Sequence, residues 1–145
     1  MAKKFQFRLE KVLELRAEER ANRKKELMLK NKAVNEVTEK LDALKIKLSA
    51  SKREVGVIKA QDLQMIAQYE ARLKQEIEST TEVLNLVVIE AEKAKEYYLE
   101  AVKDHEAMKV LKTRRQSEYM AEVDRAEAKQ LDEFAVQRYG RNELD

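Results

Sequence analysis

The chain of 145 residues contains no cysteine, no proline and no tryptophan, two glycines and one histidine. Without cysteine there is no disulfide, no thiolate metal site and no cysteine nucleophile. One histidine excludes a multi-histidine metal centre and leaves little scope for imidazole acid–base chemistry. Two glycines are too few for a phosphate-cradling loop or for the turns of a β fold. No run of about 18 apolar residues exists, so no direct membrane insertion is expected. The opening Met1, Ala2, Lys3, Lys4, Phe5 and Gln6 turn charged at once and lack a signal-like apolar stretch, which predicts a cytoplasmic location. No catalytic residue, cofactor or metal ligand stands out, and an enzyme is not expected.

What is present is charge and helix-forming side chains. Charged residues make up 40 % of the chain, with a net charge of +2. Residues 1–60 carry 17 Lys and Arg against 9 Asp and Glu; residues 61–145 carry 13 against 19. Halves of opposite sign suit two segments lying side by side, and equally a basic arm with an acidic tail.

The apolar period is that of a coiled coil. Leu27, Val34, Leu41, Leu48 and Val55 recur every seven residues, and Lys30, Val37, Leu44, Ser51 and Ile58 interleave with them. Extended backwards, the frame reads Leu9, Leu13, Arg16, Arg20 and Arg23. A second seam runs from Leu63 through Ile66, Leu73, Ile77, Leu84 and Val87 to Ala91, Ala94, Tyr98, Ala101, His105 and Met108, with Glu70 and Thr80 as polar lapses. Beyond Met108 its frame turns polar, as expected of a helix leaving its partner.

Gly56 is the one glycine between the seams, and Asp62 is a candidate N-cap. The pattern predicts an all-α fold and a single coiled-coil domain over 1–145. Helix 1 is expected over about 5–55, a turn over about 56–62 and helix 2 over about 62–138. The short connection makes the helices antiparallel, with the second longer and overhanging. A turn near residue 59 sets residue 5 opposite roughly 113 and leaves an overhang of roughly 25 residues.

Most polar features have a plain reading. His105 sits on the seam and is expected to pack there. The basic residues between Arg16 and Lys32 alternate with Glu18, Glu19 and Glu26 and include no aromatic, so no nucleic acid is expected. Two regions differ. Phe5, Phe7, Leu9, Val12, Leu13 and Leu15 are more apolar residues than one seam can bury, with Phe5, Leu9, Val12 and Leu13 on one helical face. Leu131, Phe134, Val136 and Tyr139 lie on the expected overhang, where helix 1 cannot cover them.

Those two regions carry a resemblance. The opening from Phe5 to Arg16, followed by Glu18 and Glu19, resembles the start of the FliJ family, a small component of the bacterial flagellar type III export apparatus. The closing Leu131, Asp132, Glu133, Phe134 and Ala135, with Arg138, is similar to that family's C-terminal motif. The resemblance implies a non-enzymatic stalk shaped like the central shaft of rotary ATPases. Its implied partners are the hexameric export ATPase, a membrane-embedded export-gate protein and export chaperones. Its implied place is cytoplasmic, peripheral to the membrane at the flagellar base. ATPase-facing positions would be Phe5, Leu9, Leu13, Arg16, Leu131, Asp132, Glu133, Phe134 and Arg138. Gate-facing positions would be Tyr69, Leu73, Glu76 and Thr80; Glu76 and Thr80 depart from the small apolar residue and the histidine expected there. An equivalent stalk of a virulence injectisome and a generic coiled-coil spacer or dimerisation module are the competing readings.

Overall fold

The computed structural model describes residues 3–53 and 59–144. Among them are two helices and no strand: α1, Glu10–Arg53, and α2, Ala60–Leu144. They pack on each other as an all-α hairpin, with 44 residues in the first helix and 85 in the second. The absence of proline and the abundance of Glu, Lys, Leu and Ala let α2 run unbroken.

The helix ends correct the sequence-based bounds. α1 begins at Glu10, not near residue 5. The Glu10 amide donates to the Phe7 carbonyl at 3.1 Å, and the Leu13 amide to the Leu9 carbonyl at 2.9 Å. Residues 3–7 stay outside the helix. α2 begins at Ala60, with the Leu63 amide donating to the Lys59 carbonyl at 3.0 Å. Asp62 therefore lies inside the first turn and is not the N-cap; its carboxylate still complements the helix dipole. The helix continues past residue 138 to Leu144. Gly140 does not stop it: it has no positive φ, and a Cβ there would meet no side chain within 4 Å. Gly56 and the seam residues Val55 and Ile58 lie outside the described residues.

The chain divides into two units, Met1–Glu19 with Ala101–Asp145, and Arg20–Glu100. In the second unit the helices are antiparallel: Arg23 meets Tyr97, Lys30 meets Glu90 and Ser51 meets Glu70, each step forward on α1 matched by a step back on α2. Leu41, Leu44 and Leu73 are buried, and Ala91 and Ala94 let the partner helix come close. Burying each leucine contributes about 1.5–3 kcal/mol. Two of the polar lapses meet each other, and Lys30 pairs with a residue just off the opposite seam. Ser51 Oγ donates to Glu70 Oε1 at 3.1 Å, and Lys30 Nζ lies 3.0 Å from Glu90 Oε2. Thr80 is buried, and among the described residues no buried side-chain nitrogen or oxygen lacks a hydrogen bond. Leu63, at the start of the second seam, stays 57 % exposed.

In the other unit, among the described residues, Ala101 alone is buried. Leu13, Arg16, His105, Met108 and Lys112 are half-buried on the expected frame. Here charge does part of the joining. Lys112 Nζ reaches Glu10 Oε2 at 2.9 Å, and Arg16 Nη1 lies 3.8 Å from Asp104. Phe5 meets Tyr119 rather than a residue near 113. Non-helical backbone advances up to about 3.3 Å per residue against 1.5 Å in a helix, so the arm before Glu10 reaches further along α2 than a helix would.

Candidate interaction surface

Both terminal motifs fall in the same unit, in different states. At the N-terminus, Phe5 and Tyr119 pack with ring centroids 5.5 Å apart and planes tilted by 45°. Phe5, Phe7 and Leu9 line a groove of about 460 Å³ with Leu111, Arg115 and Tyr119. Phe5, Phe7 and Leu13 are half-buried, and Leu9 is just exposed. Because residues 3–7 are not helical, Phe5 does not share a helical face with Leu9, Val12 and Leu13. Arg16 is held between Glu19, 3.2 Å away on its own helix, and Asp104 on α2. Four of the candidate ATPase-facing residues are thus already engaged within the chain.

At the C-terminus nothing comparable happens. Every residue from Asp124 to Tyr139 is exposed. Leu131 and Phe134 are 71 % and 69 % exposed. Asp132, Glu133 and Arg138 make no ion pair with another described residue. Leu131 lies twelve residues beyond Tyr119 on one helix, about 18 Å along its axis. The two motifs therefore share an end of α2 without forming one continuous patch.

The candidate gate stretch lies in the other unit and is split by burial. Tyr69 is 45 % exposed beside Lys47, Ala50, Ser51 and Ile66, and Glu76 is exposed. Leu73 and Thr80 are buried in the seam, at 4 % and 8 % exposure. On this stretch Tyr69 and Glu76 are accessible from outside, and Leu73 and Thr80 are not.

Sequence reasoning passed over two contacts. Tyr97 looks outward, yet the Arg23 guanidinium stands 4.9 Å from its ring centre. This gives a seam arginine an aromatic face to rest on. Tyr119 packs against Phe5 from the polar continuation of the second seam, and its place on that frame is the signal that could have found it. Among the described residues no group of three or more His, Asp or Glu is placed to hold a metal ion, and no helix is long and apolar enough to cross a membrane.

Comparison with known proteins adds one finding. A family model described as Flagellar FliJ protein matches residues 5–144. No curated protein and no solved structure matched the chain.

Proposed function

This chain belongs to the FliJ family and is a component of the flagellar export apparatus, and from that premise we propose that it acts as a non-enzymatic stalk and adaptor. Its C-terminal helix docks into the hexameric export ATPase, promoting ring assembly or coupling hydrolysis to export. The carrying observation is the bare stretch of α2 from Asp124 to Tyr139, which holds Leu131 and Phe134 in water with no helix beside them. Exposed apolar side chains at helical spacing, flanked by Asp132, Glu133 and Arg138, suit insertion into a partner that supplies apolar pockets and complementary charge.

In this reading the engaged N-terminal residues play a different part from the free C-terminal ones. Phe5, Leu9, Leu13 and Arg16 hold the end of α1 against α2, and Leu131, Asp132, Glu133, Phe134 and Arg138 make the contact. Tyr69 and Glu76 offer the export gate a surface on the other unit, and Leu73 and Thr80 stiffen the helix beneath it. Export chaperones are further partners. The place of action is the cytoplasmic face of the membrane at the flagellar base.

The test is ring assembly and turnover of the export ATPase from the same organism, followed by negative-stain imaging and an ATPase assay. The intact chain is expected to increase both. A chain with Leu131→Asp and Phe134→Asp is expected to do neither, while its helix content in circular dichroism is unchanged. Equal assembly with the intact and substituted chains would remove the docking role from this helix. No effect of the intact chain would return it to a coiled-coil spacer.

A further inference from the structure

The exposed stretch of α2 has a seam of its own. Asp124, Glu127, Leu131, Phe134, Arg138 and Arg141 follow one another at spacings of three, four, three, four and three. That is a heptad alternation, and all six residues are exposed. It does not continue the seam that faces α1, whose frame passes through Glu122, Ala126 and Lys129. The new frame runs one to two residues ahead of it, roughly 150° around the helix. The stripe is therefore not the residue of a hairpin contact that ran out.

We propose that this stripe pairs antiparallel with the same stripe of a second copy of the chain. The stripe is self-complementary, the condition a two-fold interface imposes: if one residue meets another, the second meets the first. Setting Leu131 against the partner copy's Phe134 produces two apolar layers at the centre. The same register sets Glu127 against Arg138 twice, and Asp124 against Arg141 twice. Each charged layer unites opposite signs. They lie at the outer ends of a short interface, where water still reaches them and the desolvation cost is small.

The flanks agree with the centre. One side of the stripe carries Ala128 and Ala135, which face each other in this register and allow close approach. The other carries Gln130 and Gln137, whose amides can hydrogen-bond to one another. A parallel pairing in register would stack Asp124, Glu127, Arg138 and Arg141 each on its own copy, four layers of like charge. None of Asp124, Glu127, Arg138 and Arg141 makes an ion pair with another described residue of its own chain. The inference rests on this helix alone; pairing and ATPase docking use the same residues, so on any one chain they are alternative states, and the paired form is that of the chain by itself.

The experiment is sedimentation velocity of the full-length chain by itself over a concentration series, with circular dichroism to confirm equal helix content. A concentration-dependent dimer is expected. Leu131→Ala with Phe134→Ala should weaken it by roughly tenfold or more. Glu127→Arg alone and Arg138→Glu alone should each weaken it, and the two together should restore it, because the exchanged charges meet again across the two-fold axis. A monomer at every concentration overturns the proposal. So does a dimer indifferent to these substitutions, or a charge exchange that fails to restore association.

Discussion

Leu44 and Leu131 are the same residue type on similarly amphipathic helices, with exposures of 6 % and 71 %. The first is covered by the opposing helix; the second lies on α2 past the last α1 contact. The difference is one of neighbours and not of local propensity, since both stretches are fully helical. Leu44 contributes to holding the chain together. Leu131 costs the isolated chain solubility, and its use must come from outside it.

The widest break in that comparison is a truncation on each side. Leu44→Ala is expected to destabilise the hairpin by about 2–4 kcal/mol and to lower the thermal midpoint, followed by circular dichroism. Leu131→Ala is expected to shift stability by no more than about 0.5 kcal/mol, measured at a concentration where the chain is monomeric. Leu73→Ala belongs with Leu44→Ala; any loss of export it causes should be recovered by lowering the temperature. A smaller effect is expected from the aromatic clasp. A double-mutant cycle on Phe5→Ala and Tyr119→Ala should give a coupling of about 0.5–1.5 kcal/mol. The smallest is expected from the ion pair of Glu10 and Lys112. Its coupling should stay below about 1 kcal/mol and fade as salt is raised, whereas the penalty of Leu44→Ala should hold.

The hairpin was legible because a seam repeats. Seven-residue spacing places Leu41, Leu44, Leu73, Ala91 and Ala94 on facing stripes, and each is buried. Even the lapses follow from that arithmetic, since Ser51 and Glu70 interrupt their own seams at points that meet. The start of α1 was not legible. Residues 3–7 contain nothing that forbids a helix. The choice is made by tertiary contact, with Tyr119 offering Phe5 a ring that an extended arm can reach. The end of α2 was also placed short: the helix runs through Gly140 to Leu144, and no positive φ at that glycine interrupts it.

For the candidate surface, spacing identified which residues lack a cover but not which already have one. Leu131 and Phe134 were recognisable from the mismatch in helix length. Phe5 and Arg16 belong to the same family motifs, yet they are occupied by Tyr119, Glu19 and Asp104. Leu73 and Thr80 stand on the second seam, so their burial could be read directly from the heptad.

The N-terminal arm separates two measures of order that usually coincide. Among the described residues, no amide from Lys4 to Leu9 donates to a backbone carbonyl, while Phe5 and Phe7 are half-buried against α2. Amide hydrogen exchange reports the first property and aromatic side-chain signals report the second. This arm should therefore exchange its amide protons almost as fast as an open chain, while its rings keep the chemical shifts of a docked segment.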